Sequence, residues 1–420
     1  MPKEEMRKNL SVYILKQYAS EASRRELQIL RLREFFAKVV LIRQSSGNNF
    51  PYADASTLLV RKPPNITGIL NLIQLDQFKR RLDQLYFPSP TILYVKAAQR
   101  QLQAEIKKDF GRNRKVCLIT PVPPHDLLVA GLYLKRKYPQ IHWIVDWQDL
   151  WSYDEFYFSQ VPKFMQNKVK VLEKEVFNTC DANVVTNDFA KTVLEEHHGI
   201  SPKRIWVISH AYDRNGTNYP QNSVPQFKDG PIQIGFLGNL FKPPKVPGEE
   251  VLAALQYVKQ SGIDLVFHIV GDKYLEKVTR KPVENFDWAV VHDFTTHDNS
   301  LRLVSNCDFL LVALADLPNS RAILHIKLPF YFMLGKLILA LVPENSAVAE
   351  AIRHTGTGYV IHNPRTWGKS LVELFRRYKS DGSPLKRNQE AVDHYSWSIV
   401  SKQWLEVICR PVNRTENAWH

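Results

Sequence analysis

Cysteine is scarce. The 420 residues hold four, Cys117, Cys180, Cys307 and Cys409. No two lie close enough in sequence to form a zinc-ligand or redox pair, so reduced, mostly buried thiols in a cytosolic protein are expected. Long apolar runs are also missing. The nearest approach, Ile323 to Val342, is interrupted by His325, Lys327 and Lys336. It falls short of the roughly 18 uncharged apolar residues a membrane span needs, and no span is expected. The opening MPKEEMRKNL is polar, and no signal peptide is expected after it. There is no P-loop, no GxGxxG and no Ser–His–Asp signature, and neither a metal nor a cofactor is expected. HHG at His197–Gly199 reads as a helix C-cap rather than a metal pair.

What is present is the composition of a soluble globular protein, 44% apolar and 23% charged, long enough for two or three domains. The net charge is +14 and unevenly placed. Residues 1–115 hold 22 Lys+Arg against 10 Asp+Glu, so the other residues carry almost none of the excess. A basic surface at one end fits an anionic partner there, such as phospholipid, a lipid-linked pyrophosphate or nucleic acid. It fits a merely solvated face as well.

Strand and helix signals alternate along most of the chain, which predicts an α/β fold with parallel sheets. Leu10–Leu15 and Val39–Ile42 read as strands, with a capping box at Ser23–Glu26 opening a helix between them. In that helix Ile29, Leu32 and Phe36 share a face. Residues 44–68 read as loop, and Leu75–Leu85 and Ala97–Lys108 as basic helices. Strands follow at Val116–Thr120, Trp143–Asp146, Ala182–Thr186 and Trp206–Ser209. Asn215–Pro231, dense in Gly, Pro, Asn and Gln, reads as a linker. A second series then begins, with strands Ile232–Leu237, Leu265–Val270, Ala289–His292, Phe309–Ala313, Leu337–Leu341 and Tyr359–Ile361. Two such halves predict a ligand cleft between them.

Several segments, taken in order over residues 116–405, resemble glycosyltransferase family 4. They are TPVPPHDLLVAGLYLKRKYPQIHWIVDWQDLW, ISPKRIWVISHAYD, IQIGFLGNL, LVFHIVGD, IKLPFYFMLGKLILALVPENSAVAEAIRHTGTGYVI and HYSWSIVSKQWLEVI. The resemblance implies the GT-B architecture, two Rossmann-like domains with parallel sheets facing a central cleft. Residues 1–220 would form the acceptor-side domain and 221–395 the nucleotide-sugar-binding domain. Residues 396–420 would form a helix packing back on the first domain. The N-terminal 115 residues depart from the pattern: YASEAS stands where the family has a Gly-rich loop. The resemblance also implies two glutamates eight residues apart, but alignment on Gly335 puts Ala322 and Phe330 there. Asp316 or Glu344 could substitute from nearby.

A nucleotide-sugar pyrophosphate needs cations and backbone N–H groups. Gly238 and Asn239 lie just past a strand, where a small residue lets the backbone approach a ligand. The resemblance places a basic phosphate pair near Lys242 and Lys245, which read equally as surface-loop lysines. The segment His325–Lys327, with Pro329 in the first helical turn, is a second anion site or simply the start of a core helix. His125 follows the PVPP turn at a strand's carboxyl end and could meet the sugar or polarise the reacting centre. A lone histidine is more often structural. His210 is a second cleft candidate. Asp272 reads as a turn residue that could reach the base, and Asp149 and Trp151 as loop stabilisers.

The expected function is transfer of a sugar from a nucleotide-sugar donor to a glycan or lipid-linked acceptor in polysaccharide or envelope biosynthesis. The protein would be cytoplasmic, peripheral at the inner membrane face, with its basic N-terminal part toward an anionic membrane surface. The alternative is a GT-B scaffold that has lost turnover and binds a partner or glycan. Nucleic acid is not expected as a partner, because no base-stacking or groove-reading motif accompanies the basic segment.

Overall fold

The computed structural model describes residues 7–16, 29, 31–44, 57–60, 92–159, 161–214, 230–241, 245–271, 282–293, 295–317, 319–381 and 385–410. The capping box at 23–26, the helix expected at 75–85, Lys242, Asp272 and nearly all of the linker lie outside them. The chain divides into two compact units. One comprises Met1–Ile208 with Ser401–His420, the other Ser209–Val400.

The first unit is built on a seven-stranded parallel sheet of order β3-β2-β1-β4-β5-β6-β7. Its strands are β1 Leu10–Leu15, β2 Lys38–Gln44, β3 Thr57–Val60, β4 Lys115–Val122, β5 His142–Trp147, β6 Ala182–Val185 and β7 Ile205–Val207. The helices α1 Ile92–Gly111, α2 Leu127–Lys137, α3 Lys163–Thr179 and α4 Asp188–Glu196 connect them. The central strands are apolar without alternation because helices cover both faces of a parallel sheet. Every residue of β1, and of β4 after Lys115, is buried. β3 corrects the expectation of loop over 44–68. It is four residues long and pairs with β2 from Leu41↔Thr57 to Gln44↔Val60, so it is held by its neighbour rather than by a pattern of its own. Ile29, Leu32 and Phe36 are all buried, the face their spacing predicts.

Close packing of α2 on the sheet depends on Gly131. A Cβ there would come within 2.4 Å of the Trp143 indole, and the indole itself donates from Nε1 to Thr120 Oγ1 at 3.1 Å. Residues 401–410 pack in this unit. The imidazole of His142 donates from Nε2 to the Val407 carbonyl at 2.9 Å, and Trp404 is fully buried.

The second unit carries a six-stranded parallel sheet of order β10-β9-β8-β11-β12-β13. Its strands are β8 Ile232–Leu237, β9 Leu265–Val270, β10 Ala289–His292, β11 Phe309–Ala313, β12 Leu337–Leu341 and β13 Gly358–Ile361. With them run α5 Gly248–Gln260, α6 His297–Ser305, α7 Leu328–Leu334, α8 Ala347–Thr355 and α9 Trp367–Asp381. β11 and β12 are wholly buried. Helix α8 shows why its ends fall where they do: Ser346 Oγ accepts from Ala349 N–H at the start, and Gly356 in the left-handed region ends it. All four cysteines are free and buried.

In both units the chain winds outward from the middle of the sheet in two directions. The strand order reverses between β1 and β4 in the first unit and between β8 and β11 in the second. In an open sheet of this kind, ligands bind outside the carboxyl ends of the strands at that reversal.

Candidate functional site

The carboxyl edge of the second sheet gathers Gly238, Lys245 and Lys327. Gly238 directly follows β8 with φ of 108°, which a side chain adopts only under strain, and a Cβ there would meet nothing within 4 Å. The glycine is therefore required by the backbone turn, and the turn is open on that side. Its N–H donates to Val270 O, at the end of neighbouring β9, at 2.8 Å. Lys245 is buried, and its carbonyl accepts from Ala315 N–H at 2.9 Å, which places it just past the end of β11.

Lys327 crosses to the same edge from the start of α7. Its ammonium donates to the Leu237 carbonyl at 2.9 Å and lies 3.6 Å from the centroid of the Phe236 ring. The residue as a whole is part-buried, but burial around the ammonium lowers its pKa to about 7. A lysine has three donors and no acceptor. One donor has a partner among the described residues, and no carboxylate offsets the charge. Tyr331, one turn on, fixes the geometry: its hydroxyl accepts from Leu237 N–H at 3.0 Å and donates to Leu311 O.

The backbone of α7 offers less than its sequence suggested. Leu328 N–H donates to the His325 carbonyl at 3.0 Å, and Pro329 has no N–H, so two of the four donors left unpaired at a helix start are not available to a ligand. The two positions aligned with the family glutamates are not acidic. Ala322 lies in a 3-10 turn, and Phe330 is buried with its ring 5.0 Å from that of His297. Glu344 is turned to Arg353 and His362, 3.7 and 4.0 Å away. Asn239 holds its own loop, its Oδ1 accepting from Phe241 N–H at 2.9 Å. His210 is buried on the stretch leading to Tyr212. Tyr212 is pinned by backbone bonds to Tyr395 and Trp397, 2.9 and 2.8 Å long.

In the first unit the carboxyl edge holds Lys16 and His125. Lys16 Nζ donates to Pro123 O at 2.9 Å, so it closes the turn before His125. The histidine is buried. Its Nε2 lies 3.1 Å from the Asp149 carbonyl; a carbonyl only accepts, so Nε2 carries the proton, and in the neutral ring Nδ1 is an acceptor. The ring stacks on Trp151 with centroids 5.0 Å apart and 8° between planes, and meets Tyr157 edge-on at 5.1 Å. Tyr157 donates to Asp149 Oδ2 at 3.2 Å. Burial, then the Asp149 and Asp154 carboxylates, push its phenol far above the usual range.

Beneath this loop is a residue that motif reading missed. Glu173 of α3 is fully buried and accepts from Trp151 N–H and Ser152 N–H, each at 3.1 Å, and from the Ser152 hydroxyl. Burial raises its pKa against those bonds. The signal was present: Glu173 falls between Val169 and Phe177 on the buried stripe of α3, where a carboxylate has no place unless it is hydrogen-bonded.

Among the described residues no group of three or more His, Cys, Asp and Glu could hold a metal, and no helix is long and apolar enough to cross a membrane.

These two sheets define the GT-B fold, a pair of Rossmann-like domains. The chain is similar over most of its length to several solved structures with that fold. A sucrose-phosphate synthase from Thermosynechococcus elongatus is 12% identical with a TM-score of 0.65, covering 94% of this chain and 97% of the other. The lipopolysaccharide outer core galactosyltransferase WaaB is 11% identical with a TM-score of 0.57, over 95% and 99%. The MnaA protein of S. aureus, solved with UDP, is 14% identical with a TM-score of 0.54, over 94% of each chain. No family model and no curated protein matches the sequence.

Proposed function

We propose that the protein is a glycosyltransferase that takes its sugar from a nucleotide-sugar donor, with the donor's diphosphate at the carboxyl edge of the second sheet. The observation that carries this is the Lys327 ammonium. It is a desolvated cation with one protein acceptor among the described residues, at a strand-order reversal and beside an open glycine turn. An unpaired buried charge is costly, and a phosphate oxygen offsets that cost through a charge-assisted bond. Lys245 at the neighbouring strand end adds to the positive field. His125 is the proposed contact to the sugar. The acceptor is a glycan or a lipid-linked sugar. The lysine- and arginine-rich N-terminal part supports a peripheral place on an anionic membrane face.

Calorimetric titration with nucleoside diphosphates and the matching nucleosides tests the reading, followed by transfer assays over a panel of nucleotide sugars. Lys327→Ala should weaken the diphosphate by about tenfold, the usual scale of a lost charge-assisted bond, and the nucleoside by much less. Equal losses, or no binding across the panel, would refute it. A second reading is a scaffold without turnover, favoured by Ala322 and Phe330 at the positions of the family's acidic pair. Diphosphate binding with no transfer from any donor would select it.

A further inference from the structure

At the opposite, amino-terminal edge of the first sheet lies a groove of about 730 Å³, within the size range of small-molecule sites. Lys203 leads into β7, Arg7 precedes β1, and the far wall is the end of the C-terminal helix Trp397–Ile408 with Arg410. Among the described residues, four cations, Arg7, Lys203, Lys402 and Arg410, and one acid, Glu406, line it. A lining with this excess of positive charge favours an anionic ligand.

Two donors in the lining point the same way. Arg7 Nε and the indole Nε1 of Trp206 are both withdrawn from water, and neither has an acceptor among the described residues. Buried N–H groups are almost always paired. The Arg410 guanidinium lies 5.4 Å from the Trp206 ring centroid and donates to the Lys203 carbonyl at 2.7 Å, so one of its five donors is used. Trp206, Ile205 and Leu405 supply an apolar wall next to these cations.

We infer that this groove binds a phosphomonoester joined to an apolar or aromatic group, its phosphate met by Arg7, Lys203, Lys402 and Arg410 and its apolar part lying on Trp206. The chemistry is shared by a soluble aryl phosphate and a lipid phosphate. It is independent of the donor reading, since every residue belongs to the first unit and the other edge of its sheet.

The full-length protein is titrated with 1-naphthyl phosphate and with inorganic phosphate. In parallel it is sedimented with vesicles of phosphatidic acid in phosphatidylcholine and of phosphatidylcholine alone. Naphthyl phosphate should bind more tightly than inorganic phosphate. Lys203→Glu and Lys402→Glu, both exposed positions that leave the fold intact, should each weaken it by about tenfold. Trp206→Leu should remove the advantage of the naphthyl group, and Lys327→Ala should leave naphthyl phosphate binding at its unsubstituted strength. Retention on phosphatidic acid vesicles alone, lost in the two glutamate variants, assigns the lipid source. Binding in neither arm overturns the inference, as does binding that survives both glutamate substitutions.

Discussion

Lys327 sets a pH dependence with a definite sign. Its folded pKa of about 7 lies below the ordinary lysine value of 10.5, so the unfolded chain binds more protons between those values. Stability contributed at this residue therefore rises as pH climbs from about 7 to 10.5, and below 7 the full penalty of the buried charge is present. Lys327→Met should flatten that part of a urea-midpoint profile against pH. Diphosphate binding near pH 7 should take up a proton, seen as a dependence of calorimetric enthalpy on buffer ionisation. Gly238 makes a second residue-scale test. At its φ of 108° an alanine is strained, and Gly238→Ala should cost about 1–3 kcal/mol in chemical denaturation even though the space beside it is empty.

Helix α3 and the loop 149–152 act together. Glu173→Ala leaves the Trp151 and Ser152 N–H groups without their acceptor, and should cost about 1–3 kcal/mol. Glu173→Gln keeps one acceptor oxygen and should cost less. The end of the C-terminal helix is pH-sensitive in the opposite range from Lys327. Burial depresses the His142 pKa, so the ring is accommodated at full stability above about 6.5, where it is neutral, and that stability is lost as pH falls toward the lower folded value and the buried ring must take on charge. Amide protection factors over 404–409, corrected for the intrinsic rate at each pH, should fall between pH 7.5 and pH 5, and His142→Asn should abolish the difference.

How far elements and site were legible follows from what each depends on. Parallel strands such as Phe309–Ala313 and Leu337–Leu341 were readable because two-sided burial demands an uninterrupted apolar run. β3 was not, since Thr57–Val60 owes its state to pairing with β2. The turn at Gly238 and the position of Lys327 were legible as a small residue and a cation near strand and helix ends. The bond from Lys327 to Leu237 joins residues 90 apart in sequence, and nothing local announces that the ammonium would be desolvated. Lys135 is similar. It is buried among the carbonyls of Pro139 and Ile141 and the Asp181 carboxylate, a pairing visible only after folding.

At the scale of the molecule, each unit has its own sheet, and the proposed diphosphate contacts lie in one of them. Ligand that binds only the folded state stabilises it by mass action, about 2.7 kcal/mol at a hundred times its dissociation constant. A saturating nucleoside diphosphate should therefore raise the unfolding temperature of the second unit, and the rise should shrink in Lys327→Ala. Differential scanning calorimetry with and without ligand measures it.

The buried cysteines give each unit its own clock. Cys117, Cys180 and Cys409 belong to the first unit and Cys307 alone to the second. Burial pushes the Cys180 and Cys307 thiols up to about 12, so neither reacts with an alkylating agent while its surroundings stay closed. Pulse alkylation followed by mass spectrometry then times local opening without any engineered probe. Modification of Cys307 reports only on the sheet that carries Lys327, and the molecule can be asked which half yields first under heat, denaturant or ligand.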